Sequence, residues 1–292
     1  MNVSLNQNEI SEASLLIAIE RFVLISLDTT KQPRSFYDTF TDLLLDFDQV
    51  YNPDFSYTCL IDLFCSLLHD YDLRYETSSS LCKCLKQRTF KDWQAYFNRA
   101  RAGHLNELRQ HRHTEKLNAA KLDNRLKEIL KSYSAVLVVR VDLAYVVSPD
   151  IEQVNNDLEM LRRKIKRSEY GRDVLLLVWA LEQGEKKGYH CHIALIFNER
   201  KRTSAWNIAK AVGELWEDVT NDEGSYFNCH DRRYLKQYED QDTLGIGIIY
   251  SEVDYQVRRM RSTLSYLARP EKEQYLRVKT TRRMRTFGMS QR

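Results

Sequence analysis

Two apolar runs, Val174–Glu182 and Tyr189–Phe197, are separated only by the polar stretch Gln183-Gly-Glu-Lys-Lys-Gly188. Strong strands joined by so short a loop predict an antiparallel hairpin, and the two glycines let the backbone turn sharply. Such a pair belongs in the interior of a sheet, so what surrounds it has to supply further strands and cover.

The flanking segments do so. From Ser134 the texture changes, and Ala135–Tyr145 is rich in β-branched residues and reads as a buried strand. A helix follows from about Pro149 to Ser168, another from Ser204 to Trp216, weaker strands near Phe227 and over Leu244–Tyr250, and a final helix over Glu252–Leu267 before a basic tail. Residues 134–292 are therefore expected to fold as an antiparallel sheet of about five strands covered by helices on one face. Ahead of it, apolar positions recur at helical spacing, as in Leu15, Leu16, Ile19, Phe22 and Val23, then Phe40, Leu43, Leu44 and Phe47. Residues 1–90 read as a helical N-terminal domain and 91–133 as a helical connector. The connector's charge-alternating run from Leu117 to Lys131 reads as a solvated helix face. The fold class is α+β.

Charge divides unevenly along the chain. Residues 1–80 hold thirteen Asp or Glu against four Lys or Arg, so the remainder must carry twelve excess positive charges to bring the total to +3. A basic rear half points to a polyanionic partner, because neutralised phosphates release counterions. The six cysteines form no regular framework, Cys82-x-Cys84 lacks a second pair to complete a zinc site, and no leader pattern precedes them, which fits a reducing cytoplasm. The longest apolar run, Ser14–Ile25, is interrupted by Glu20 and Arg21 and falls short of a membrane span, so no membrane partner is expected.

The chemistry gathers at the hairpin. His190 and His192 are two residues apart on a strand, so both imidazoles emerge on one face and Cys191 points the other way. They make a platform for a divalent ion, with Glu182 across the turn as the third ligand. Arg140 and Asp142 share a face of the first strand, suited to a salt bridge or to contact with DNA or the metal's surroundings. Between Gln256 and Arg292 lie eleven Lys or Arg, including Arg258, Arg261 and Arg285, with Tyr266, Tyr275 and Phe287 interspersed. Cations along a groove with occasional rings suit single-stranded DNA.

These residues carry a resemblance. Trp179-Ala-Leu-Glu182-Gln-Gly-Glu-Lys-Lys-Gly-Tyr-His190-Cys-His192 resembles the histidine-hydrophobe-histidine motif of HUH endonucleases, specifically the replication-protein-like family of filamentous phages and bacterial prophages. Val138-Val-Arg140-Val-Asp142-Leu resembles that family's first strand motif, and Arg285-Thr-Phe-Gly288-Met-Ser290 its closing segment. Tyr266-Leu-Ala-Arg269 is similar to its tyrosine motif, normally Tyr-x-x-Lys. The resemblance implies a ferredoxin-like sheet, a divalent Mg or Mn ion, no small-molecule cofactor, and strand transfer in which a tyrosinate leaves a 5′-phosphotyrosine and a free 3′-hydroxyl. The expected activity is a site-specific single-strand DNA nickase and ligase that starts rolling-circle replication on origin DNA, with host replication proteins as further partners. Tyr266 is the expected nucleophile; Tyr255, eleven residues earlier and near the same helical face, is the alternative. Arg269 keeps the charge of the family's lysine but not its ability to give up a proton. The rival expectation is a catalytically inactive prophage DNA-binding regulator on the same fold.

Overall fold

Helical spacing of apolar residues builds the first layer. In the computed structural model, which describes residues 11–71, 77–268 and 274–290, Glu12–Asp28 (α1) buries Leu16, Ile19 and Val23, and Phe36–Val50 (α2) buries Phe40, Leu44 and Phe47. A short strand Ser56–Tyr57 (β1) precedes Cys59–Asp70 (α3), Ser78–Leu85 (α4) and Phe90–Asn98 (α5). Both α4 and α5 open with reciprocal caps, Thr77 with Ser80 and Thr89 with Asp92, which satisfy amides that a first helical turn leaves unpaired. At the centre Phe40 meets Trp93 edge-on at 4.9 Å.

Arg101–Ser132 (α6) is one uninterrupted helix of 32 residues, about 48 Å long at the usual rise. Its later half corrects the expectation of a solvated face. Ala119, Leu122, Leu126 and Ile129 are buried on the sheet, a narrow stripe at alternating three- and four-residue spacing that the surrounding charges obscure in any average.

The sheet follows from Ala135–Tyr145 (β2). After it come Ile151–Arg167 (α7), Val174–Gly184 (β3), Gly188–Asn198 (β4), Ala205–Val219 (α8) and Gly224–Asn228 (β5). Arg232–Asp240 (α9), Gly247–Tyr250 (β6), Asp254–Ala268 (α10), Val278–Lys279 (β7) and Phe287–Met289 (β8) complete it. The strands order β5-β2-β4-β3-β8, all antiparallel, with β6 sharing the β5 edge of β2. The crossover through α7 skips the place that β4 fills, which is the split β-α-β arrangement.

Two expectations change here. The sheet has six strands, and a separate pair is formed by β1 with β7. Helices cover both of its faces. Leu137, Val139, Trp179, Ile193, Leu195 and Phe197 belong to one core with α7 and α8, whereas Val136, Val138, Leu176, Val178, Ala194 and Ile196 belong to another with α6 and α10. The physical reason was present in the strands themselves: continuous apolar runs, unlike alternating ones, are what a doubly covered sheet requires. The basic tail contributes β8, where a side chain at Gly288 would come within 2.5 Å of the Trp179 indole, so only glycine lets that strand pass.

The N-terminal helices join the first of these cores. Glu12 accepts hydrogen bonds from the Ile151 amide and the Tyr189 hydroxyl, Gln183 donates to the Ala13 carbonyl, and Arg277 forms a buried ion pair with Glu20 at 2.6 Å.

Candidate metal centre

Strand alternation puts His190, His192, Ala194 and Ile196 on one face of β4. The half bearing Ala194 and Ile196 is roofed by α6 and α10. The other half is polar because of register: Glu182 of β3 lies opposite His190, and Asp142 of β2 lies opposite His192. Directly opposed residues sit close enough to interact, so the ladder itself assembles the group.

Each imidazole is held by its Nδ1. His190 Nδ1 lies 3.1 Å from the Gly188 carbonyl, which can only accept, so that nitrogen carries the proton. His192 Nδ1 lies 2.8 Å from Asp142 Oδ1, a donor role that its longer 3.5 Å approach to the Arg140 guanidinium does not displace. Both Nε2 atoms then turn toward Glu182 Oε2, at 3.4 and 3.5 Å. Glu182, His190 and His192 each offer a ligand atom within 4.8 Å of the others, and all three are buried. Imidazoles oriented by a carbonyl and a carboxylate through their far nitrogen are the usual support of a metal site.

Glu182 is fully buried, yet neither of its oxygens has a hydrogen-bond partner. Burial works to raise its pKa, but His190 and His192 hold it down at about 2. That lowering belongs to protonated imidazoles whose Nε2–H groups face the carboxylate at 3.4 and 3.5 Å; with the protons on Nδ1 instead, two Nε2 lone pairs and the carboxylate face one another, an all-acceptor arrangement that a cation relieves. An anion that is buried, ionised and under-bonded fits a cation. For His192, burial pulls downward, and the Asp142 hydrogen bond with Glu182 nearby pushes it up to about 9. Asp142 is held well below the usual carboxylate range despite its burial, chiefly by the hydrogen bond to His192 and the charge of Arg140. Arg140 clasps Asp142 through two hydrogen bonds of 3.0 and 3.1 Å. Behind it, the Arg140 amide donates to His230 Nε2 at 3.1 Å, and burial drives His230 down to about 4, keeping it neutral.

Tyr266 of α10 joins this group. Its ring centre is 6.2 Å from that of His192 and 5.8 Å from the Arg140 guanidinium. A cleft of about 750 Å³ is lined by Arg140, Asp142, His190, His192, Tyr234 and Tyr266, among others. Tyr255, at the start of α10, is not brought there: it is exposed, with Arg259 over its ring at 4.6 Å. Arg261 pairs with Asp123 of α6, and Arg258 lines a separate hollow beside it. Arg285 is exposed on the approach to β8. Arg269 lies outside the described residues.

Sequence reasoning missed His230, Tyr234 and Tyr238. The signal for the tyrosines was the four-residue spacing within Arg232–Asp240, one face of a helix; no local pattern betrayed His230.

A family model described as the YagK/YfjJ C-terminal domain matches residues 98–290. The chain belongs to that family. YagK/YfjJ domains are found in bacterial prophage-like proteins. No curated protein and no solved structure matches the chain. The matched segment of the YagK/YfjJ domain opens at the end of α5 and takes in all of α6, the sheet and every group of the polar cluster, while α1 to α4 lie outside it. That α6 falls within the family's span agrees with its place on the sheet.

Proposed function

We propose that this protein is a metal-dependent single-strand DNA nickase and ligase of the rolling-circle type, with Tyr266 as nucleophile. The observation that carries the reading is the buried Glu182 carboxylate, without a hydrogen-bond partner and facing the Nε2 atoms of His190 and His192, two residues that line a cleft which also holds Tyr266. The β-α-β-β-α-β order with strand order β5-β2-β4-β3 supports the ferredoxin-like sheet that the HUH resemblance implies.

Glu182, His190 and His192 would hold the cation. Two imidazoles with one carboxylate suit Mn²⁺ better than Mg²⁺, which prefers oxygen ligands. A divalent ion bound there supplies polarisation of a phosphate oxygen. Everything else falls to the chain. Asp142 and the Gly188 carbonyl fix the two rings. The Tyr266 hydroxyl gives up its proton to solvent as its oxygen attacks phosphorus, the bond from phosphorus to the upstream 3′ oxygen breaks, and that oxygen takes a proton from solvent and leaves as a hydroxyl. The phosphate stays on the tyrosine, attached to the 5′ end of the downstream strand. Arg140, half-buried and charged beside the ring, opposes the negative charge that gathers on the phosphoryl oxygens. Return attack by a 3′-hydroxyl reseals the strand without ATP, since the phosphodiester energy is kept in the tyrosyl bond.

The test is a covalent adduct. The protein is incubated with Mn²⁺ and a pool of single-stranded oligonucleotides covering the DNA that flanks its gene, then resolved under denaturing conditions. A DNA-linked band is expected from the wild type and from Tyr255→Phe, and none from Tyr266→Phe. An adduct that survives in Tyr266→Phe and vanishes in Tyr255→Phe moves the nucleophile to the start of α10. DNA retention indifferent to EDTA and to His190→Ala, with no adduct, favours the binding-only regulator.

A further inference from the structure

Two clefts meet at the histidines. One, of about 540 Å³, runs past Val146, Ser148, Ser225 and Phe227; the other, of about 750 Å³, runs past Arg140, Tyr234, Tyr238 and Tyr266. Asp142, Lys187, His190 and His192 line both. A chain molecule can therefore enter on one side of the polar cluster and leave on the other.

Three rings bridge the two clefts. Phe227 of β5 pairs in register with Asp142, which places it beside the same polar cluster. Its ring meets Tyr234 at 4.9 Å and 73°, and Tyr234 meets Tyr238 at 4.8 Å and 57°. Tyr234 and Tyr238 are four residues apart on α9, and the Tyr238 hydroxyl donates to that of Tyr234 at 3.0 Å. Core packing accounts for only part of the row: Tyr234 rests against the core under α6 and α10, but α9 buries no residue fully and Phe227 is 45% exposed. Positive charge beside it comes from the exposed Lys187 of the hairpin turn, which lines both clefts, and from Arg140, which lines the second. Rings in series with cations alongside are what an unpaired strand recognises, since every base has a face to stack and every linkage a negative charge. A duplex buries those base faces.

We propose that Phe227, Tyr234 and Tyr238 form a stacking track that carries the bases of single-stranded nucleic acid across the Glu182, His190 and His192 cluster. The track deepens the nickase reading and rests on it for its choice of substrate.

Fluorescence anisotropy tests it with the full chain in EDTA, so that binding is read without cleavage, using a fluorescein-labelled oligodeoxythymidylate of about 20 nucleotides. Phe227→Leu with Tyr238→Leu is expected to weaken binding about 10-fold or more, whereas Tyr234→Phe with Tyr238→Phe, which keeps the rings, leaves it unchanged. A duplex of the same length binds more weakly than the single strand. In parallel, ultraviolet crosslinking of a 4-thiothymidine strand to the wild type is expected to label the peptide spanning residues 224–240, a readout that does not depend on how the leucine variant folds. Unchanged affinity in the leucine variant, equal preference for duplex, or crosslinks elsewhere overturn the track. An adduct through Tyr266 with ring-independent binding leaves the nickase standing and removes the track. Ring-dependent binding with no adduct under any divalent metal does the reverse.

Discussion

Glu182 is the residue on which the polar cluster turns. A buried carboxylate whose oxygens are not hydrogen-bonded costs stability, and nothing in the packing of β3 demands one, since its neighbours on that face, Val178 and Ala180, are apolar. If it is a ligand, Mn²⁺ at about 100 times its dissociation constant should stabilise the fold by about 2.7 kcal/mol. Thermal melts should show that gain in the wild type and its loss in Glu182→Gln and His190→Ala. Asp142 acts at one remove, by fixing the His192 ring. Asp142→Asn is expected to weaken Mn²⁺ affinity about 10- to 100-fold, measured by calorimetry, while a residue needed only for its ion pair with Arg140 would leave that affinity alone. The His-x-His spacing was legible because a strand has a period of two. The pairing of Asp142 with Arg140 was legible from their shared face, but its hold on His192 was not, because that depends on which residue of β2 lies opposite His192.

Among the elements, α1 shows most clearly how distant segments constrain the hairpin. Glu12 is buried against Tyr189 and the start of α7, and burial raises its pKa from 4.5 to about 7 although the hydrogen bonds from Tyr189 and Ile151 oppose the rise. A raised carboxyl pKa means that the folded protein binds the proton more tightly than the unfolded chain. Stability from this group is therefore full below pH 4.5 and is lost as pH rises to about 7. Glu12→Gln keeps an oxygen to accept both hydrogen bonds and removes the charge. It should raise stability by about 3 kcal/mol at pH 8 and by little at pH 4.5. Chemical denaturation at the two pH values checks this; an equal effect at both would show that charge is not the cause. Helix α6 teaches a related lesson: its four positions buried on the sheet are outnumbered by charges, so its cover of the sheet follows from spacing and not from mean composition.

For the whole molecule, the continuous core from α1 through the sheet to α8, with the buried pair between Glu20 and Arg277, ties the first and last described segments together. Calorimetry of the full chain should give one unfolding transition, because a break in either half exposes the same apolar surface. Two well-separated transitions would show that the helical segment and the sheet unfold independently. The clefts on either side of the histidines are likewise properties of the assembly, formed between strands, α9, α10 and the loops that follow β2.

Locally encoded features were readable from the amino-acid order: the hairpin, the helical spacing of α1 and α2, the shared face of His190 and His192, and the polar platform they form. Each depends on a repeat of two or about 3.6 residues within one element. Tertiary structure alone decided that Asp142 holds His192, that Tyr266 and not Tyr255 faces the cluster, that Arg261 is engaged with Asp123, and that the basic tail returns as β8. Those outcomes rest on register and on packing between segments far apart in the chain, where several pairings satisfy the same local pattern and only the burial of the common core selects among them.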